Sequence, residues 1–125
     1  MFGMKPIPSA IVVVAGVAAI LFTGKATISA KSRAVLEDIA NQSSMTNLRI
    51  EISGHTDNTG SSDANLALSQ ARADAVKQYL NQLAPNTFPL ARMQAHGFGD
   101  QKPVGDNDTE AGRQKNRRVE IVLGN

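Results

Sequence analysis

From Asp63 to about Gln82 the chain contains neither glycine nor proline, and Ala, Leu, Gln and Arg dominate the run. These are good helix formers, so an unbroken stretch of this length commits the middle of the chain to one long helix. Just before it, "LRIEIS" alternates Leu48, Ile50 and Ile52 with Arg49, Glu51 and Ser53, the period of a half-buried strand. The link between the two, "GHTDNTGSS", is dense in residues that tolerate turn or left-handed backbone, and Ser62 or Asp63 is placed to cap the helix. A strand feeding a long helix through a short loop begins a crossover connection, which points to a sheet rather than a bundle as the frame.

The flanking segments extend that frame. Val35, Leu36, Ile39 and Ala40, with Ser29 or Ser32 ahead of them, predict a helix over about 32–42. Pro85 and Pro89 close the long helix and mark a surface loop. "ARMQAHGFG" reads as a third strand closed by glycines, "DQKPVGDND" as a loop, "TEAGRQKNR" as a short helix capped by Thr109 or Asp108, and "RVEIVL" as a final alternating strand. Residues 7–24 carry no charge and permit a signal-peptide core or a marginal membrane span on composition alone, but Pro8, Gly16 and Gly24 interrupt them. Two short buried strands turning near Gly16 suit the β-branched Val and Ile of this run at least as well. The expected fold is therefore α+β in two layers, β-α-β-α-β-(short α)-β, with a mixed sheet and helices packed on one face. At 125 residues a single domain is expected, with 1–10 as an N-terminal extension and 11–125 as the domain.

Composition excludes several chemistries. With no cysteine there is no disulfide, thiolate metal site or thiol nucleophile. A net charge of +2, one Tyr, four Phe and no Trp leave neither a strong basic field nor stacking platforms for nucleic acid. Two histidines, His55 and His96, without paired carboxylates make no zinc set, and "DNTGSSD" lacks the acidic order of a calcium loop. No Lys-Ser or Lys-Thr pair follows the glycines at 54 and 60, so a phosphate cradle is not indicated, and no Ser-His-Asp spacing suggests a hydrolase. These residues indicate neither cofactor nor metal and leave a hydrolase as a minority reading.

What remains is a pair of opposite charges. Turning about 100° per residue, Leu68, Ala71, Ala75, Val76, Tyr79 and Leu83 are expected to form one apolar stripe, with Arg72 projecting from its middle and Asn65 on the same side. An arginine there keeps its charge and needs a partner or a wet cleft. Asp57 is the candidate by topology, and two readings stay open: a closed Asp57–Arg72 salt bridge, or a site in which a ligand's ammonium meets Asp57 and its carboxylate meets Arg72. In "GRQKNRRVEI" the basic cluster reads as a solvated approach to the last strand, except that Arg117 shares the parity of Val119 and Ile121 and is a candidate to hold the Asp57 loop.

Taken together, "LFTGKATISAKSRAVLEDIA", "IEISGHTDNTGSSDANLALSQARADAVKQYL" and "GFGDQKPVGDNDTEAGRQKNRRVEI" resemble the OmpA-like C-terminal domain, a peptidoglycan-associated module of bacterial envelope proteins. The resemblance spans about residues 11–123. It implies a periplasmic or outer-membrane-associated module that binds peptidoglycan through the meso-diaminopimelate of the stem peptide, with envelope proteins or a second copy as further partners. Asp57 of the Thr-Asp-x-x-Gly loop would meet the ligand's ammonium and Arg72 of the Leu-Ser-x-x-Arg-Ala helix its carboxylate. Thr56, Asn65 and Leu68 would flank the pocket, and Asn116 and Arg117 of the Asn-Arg-Arg motif would support the loop. The alternative function that the resemblance allows is a structural or oligomerisation domain of a stator- or secretion-type assembly with Asp57 and Arg72 closed on each other. Relatives often read Leu-Phe-Asp-Thr-Gly-Lys where this chain has Leu21, Phe22, Thr23, Gly24 and Lys25, so one acidic pocket wall is missing.

Overall fold

Two strands can run parallel side by side only if the chain crosses over between them, and here the long helix makes that crossing. The computed structural model describes residues 11–12, 22–23, 27–28, 33–34, 36–37 and 49–124. The elements in order are β1 (Ile11–Val12), β2 (Phe22–Thr23), β3 (Thr27–Ile28), β4 (Arg49–His55), α1 (Ser62–Leu83), a 3-10 turn (Leu90–Arg92), β5 (Met93–Gly97), α2 (Glu110–Asn116) and β6 (Arg118–Gly124). The main sheet has the order β1-β6-β4-β5, with β4 parallel to β5 and β6 antiparallel to both β4 and β1. β2 and β3 form a separate antiparallel pair.

The expected mixed α+β sheet is present. Ile50 and Ile52 of β4, Met93 of β5 and Val119 and Ile121 of β6 are buried and meet Ala73, Val76 and Leu80 of α1 in one core. Arg33, Ala34, Leu36 and Glu37 are helical, and Leu36 is fully buried in that same core, which puts the earlier helix on the face that α1 covers. The rest of the predicted 32–42 helix, the turn near Gly16 and the 1–10 extension lie outside the described residues.

Several boundaries differ from expectation for local reasons. β4 continues through His55 because Gly54 and His55 stay in register with Val119 and Arg118 of β6. The cap of α1 is Ser61, one residue earlier than expected: its hydroxyl accepts the Ala64 amide at 3.1 Å, which leaves Asp63 in the first turn, where a negative charge is favoured. Thr109 caps α2 as expected, accepting the Gly112 amide at 3.0 Å. β5 starts at Met93 because the chain after Pro89 first makes the 3-10 turn.

The main correction concerns the register of α1. Its buried residues are Asn65, Ser69, Ala73, Val76 and Leu80, while Ala71 is exposed and Leu68, Ala75, Tyr79 and Leu83 are half-buried. The helix is turned by about a quarter turn from the expected apolar stripe. Glycines cause this. Gly54 and Gly97 are paired across β4 and β5. A Cβ on Gly54 would lie 2.2 Å from the Ser69 carbonyl oxygen, and one on Gly97 would lie 2.3 Å from the Gln70 amide nitrogen. The backbone of α1 thus rests directly on a floor without side chains, and only small residues fit on the face that touches it.

The Ser69 and Gln70 side chains then fasten the contact. Ser69 Oγ accepts the Gly99 amide at 2.9 Å and donates to the Leu66 carbonyl. The Gln70 amide accepts from Gly97 N–H at 2.9 Å and donates to the Ala95 carbonyl at 3.0 Å, occupying the outer edge of β5 as a further strand would. Gly54→Ala and Gly97→Ala are each expected to lower stability by about 3 kcal/mol or more, since the clash is with backbone. Gly60→Ala, where an added Cβ meets nothing within 4 Å and only the φ of +85° is unfavourable, should cost about 1 kcal/mol. Urea unfolding midpoints of the three variants check this ordering.

Candidate functional site

The loop between β4 and α1 is organised by its own side chains. Thr56 Oγ1 donates to the Asp57 carbonyl at 2.7 Å, and Thr56 N–H donates to the Gly99 carbonyl at 2.8 Å. Asp57 Oδ1 accepts the Thr59 amide at 2.9 Å, an Asx turn that Gly60 completes with its left-handed φ. From α1, Asn65 Nδ2 donates to the carbonyls of Asp57 and Thr59 at 3.3 and 3.1 Å. Thr56 and Asn65 are both buried, so their positions on the candidate list translate into loop construction.

Asp57 is gripped from the neighbouring strand, whose start lies beside the end of β4. Arg117, at the junction of α2 and β6, sends NH1 to Asp57 Oδ2 at 2.6 Å and NH2 to Glu110 Oε2 at 2.6 Å. Glu110 also takes Arg113 Nε at 3.1 Å, and Arg113 NH1 reaches the Asn107 carbonyl at 2.8 Å. Burial pushes the Asp57 carboxyl up, but the Thr59 amide and Arg117 outweigh it and hold it below the usual carboxylate range. The carboxylate remains an anion, with the Thr59 amide, the Thr59 side chain and Arg117 taking up acceptor directions.

Arg72 is half-buried on the flank of α1, not at the centre of the buried face, because of the quarter turn described above. Burial lowers its pKa, the charge of Arg117 lowers it further, and Asp57 opposes both. It stays protonated, as arginine does in proteins, and lies within electrostatic reach of both Asp57 and Arg117. Arg117, half-buried like Arg72, is thus a second cation on Asp57, which the two-residue reading of the sequence did not require. Leu68 is half-buried and lines an open, mostly apolar depression with Ala64, Asn65, Ala67 and Ala71.

Asn116 supports a different loop from the one expected. It is fully buried; its Oδ1 accepts the Val104 and Gly105 amides at 2.7 and 2.8 Å, and its Nδ2 donates to the Gly105 carbonyl and Asn107 Oδ1. Arg118, expected on a solvated face, is buried, with Nε on Glu120 Oε2 at 2.6 Å and NH2 on the Lys102 carbonyl at 3.1 Å. Glu110, Ser69 and Gln70 were not singled out from the sequence. The signal for the last two was Gly54 and Gly97, isolated glycines in strands, which mark close backbone approach.

His55, beside Thr56, is packed rather than ligating. It stacks on Phe98 with ring centroids 5.5 Å apart, and neither ring nitrogen has a hydrogen-bond partner. Among the described residues no group of His, Cys, Asp and Glu could hold a metal. Burial, chiefly, and then the charge of Arg118 press its pKa down to about 4, against an opposing pull from Glu120. The unfolded chain therefore takes this proton first, so stability is expected to fall as pH drops from about 6.5 toward 4, by on the order of 2 kcal/mol after allowing for solvent screening. The Asp57 contribution has the opposite origin: its lowered pKa stabilises above the ordinary 3.8 and is lost only below it. His55→Leu should flatten the upper window alone, as read by thermal midpoints across pH 4–7.

The sequence profile of the OmpA family matches residues 22–117. The chain is 49% identical over 76 residues to outer membrane porin F of Pseudomonas fluorescens, covering 59% of this chain and 22% of that protein. It is 44% identical over 75 residues to the peptidoglycan-binding protein ArfA of Mycobacterium tuberculosis, covering 60% of this chain and 22% of that one. A solved structure, the peptidoglycan-associated lipoprotein from Burkholderia pseudomallei, superposes with a TM-score of 0.73 at 34% identity over 84% of this chain and 86% of its own. The chain spans only about a fifth of the two full-length curated relatives named here.

Proposed function

The chain belongs to the OmpA family, and from that premise we propose that it binds peptidoglycan non-covalently in the bacterial envelope, through the meso-diaminopimelate of the stem peptide. The outer-membrane relative supports the compartment, and the peptidoglycan-binding and peptidoglycan-associated relatives support the polymer. In this role the domain tethers an envelope assembly to the wall, at the outer membrane or in the periplasm, without turnover. Envelope proteins and a second copy of the chain are the further partners proposed.

The observation that carries the finer reading is the placement of the half-buried Arg72 within electrostatic reach of an Asp57 carboxylate whose position is fixed by Arg117 and Thr59. The free end of diaminopimelate carries an ammonium and a carboxylate on one carbon, whereas a lysine in the same place carries only the ammonium. Asp57 takes the ammonium and Arg72 the carboxylate, a charge-assisted contact for which a planar guanidinium is suited. Because Arg117 already occupies one oxygen of Asp57, neutralising Arg72 is not the whole purpose of that carboxylate. The alternative reading is a structural domain in which Asp57 and Arg72 are closed on each other, and it predicts no heat on titration with a diaminopimelate muropeptide.

Asp57→Ala and Arg72→Ala are each expected to reduce co-sedimentation with purified diaminopimelate-type peptidoglycan by about tenfold or more, the loss of one charged hydrogen-bond partner. Thermal midpoints should move by only a few degrees. Wild-type protein should bind lysine-type peptidoglycan much more weakly. Unchanged sedimentation of both variants would overturn the assignment, and equal binding to the two wall types would remove the diaminopimelate specificity.

A further inference from the structure

Arg117 contacts Asp57 through one nitrogen only, although its planar fork could close on both carboxylate oxygens. The reason lies on its other side, where Glu110 Oε2 holds NH2 at the same 2.6 Å that NH1 keeps to Asp57 Oδ2. Arg117 is thus shared between two carboxylates, one at the candidate site and one at the first turn of α2. The NH2 that Glu110 occupies is the one a two-toothed grip on Asp57 would need, because guanidinium and carboxylate pair most strongly through two parallel bonds.

We propose that Glu110 is a specificity-determining positioning residue: by drawing Arg117 into a one-nitrogen contact, it keeps the Asp57 carboxylate open to a ligand ammonium. The site then prefers a zwitterionic end group over a merely anionic one. This rests on the peptidoglycan reading above and deepens it. Without Glu110, Arg117 turns both nitrogens onto Asp57, and the carboxylate is masked. Arg72 and Arg117 then present cationic character together, and the site tolerates a ligand that offers a carboxylate alone.

Glu110 lies at the surface, 65% exposed in its side chain, so the effect works through geometry at Arg117 rather than through a strong field, and it is of the size expected for an exposed ion pair. The loop around Asp57 does not depend on Glu110 for its shape, since Thr56, Thr59 and Asn65 hold it. Loss of Glu110 should therefore change which ligand binds more than whether the domain folds.

The test uses calorimetric titration with two probes: a diaminopimelate-containing muropeptide with its free terminal ammonium and carboxylate, and the same muropeptide with that ammonium acetylated. The quantity read is the ratio of the two affinities, which a uniform loss of folded protein leaves unchanged. Glu110→Ala is expected to lower this ratio about threefold, with Glu110→Gln intermediate because it keeps an acceptor. In an Arg117→Lys background, where a point-like ammonium cannot fork between two carboxylates, Glu110→Ala should change the ratio no further.

If Glu110→Ala leaves the ratio unchanged, or weakens both probes equally, while Arg72→Ala still weakens binding by about tenfold or more, the inference is overturned and the peptidoglycan reading stands. If the wild-type protein binds neither probe, that reading fails and the role of Glu110 falls with it.

Discussion

The backbone of α1 lies against Gly54 and Gly97 with no side chain between, and the rest of the site depends on that contact. Substitution by any other residue would push the helix outward by the width of a methyl group, because the atoms in the way are the Ser69 carbonyl and the Gln70 amide. The close approach orients the helix more strongly than its apolar residues do. A helix set by Leu68 and Tyr79 would have buried Arg72, whereas one set by Ser69 and Ala73 leaves Arg72 half-buried at the flank and brings Asn65 under the carbonyls of the Asp57 loop.

A second constraint comes from the opposite end of the chain. β6 is antiparallel to β4, so its first residues meet the last residues of β4, with Arg118 in register with His55. The residue before β6, Arg117, is thereby delivered to the loop that follows β4, where it takes Asp57 at 2.6 Å. Asn116 meanwhile turns the other way to hold Val104 and Gly105, so consecutive residues of one motif build two different loops. Sheet register and ligand chemistry are thus coupled: the strand that completes the core also supplies the cation that fixes the candidate anion.

Much of this was legible from residue patterns. Alternation located β4 and β6, the absence of breakers located α1, and Asp57, Arg72 and Arg117 stood out as charges at apolar or glycine-flanked positions. The helix rotation was not legible, because summing apolar side chains over 3.6-residue turns assumes that burial follows hydrophobicity. Where a helix sits on glycines, burial follows size, and Ser69 and Ala73 win over Leu68. Arg118 was misplaced for a related reason: parity along a strand predicts which face a side chain leaves from, and a long guanidinium then finds Glu120 and the Lys102 carbonyl and is buried all the same.

By itself the sequence determined the order of elements from β4 onward, the mixed character of the sheet and the identity of the charged residues, because these follow from local propensity and periodicity over short windows, whereas the separate β2–β3 pair was not expected. Only the tertiary structure decided which charges meet. Asp57 and Arg117 are sixty residues apart, and their contact, like the sharing of Arg117 with Glu110, arises from strand register and helix placement. No local pattern records those, since each is a relation between segments that become neighbours only when the core is packed.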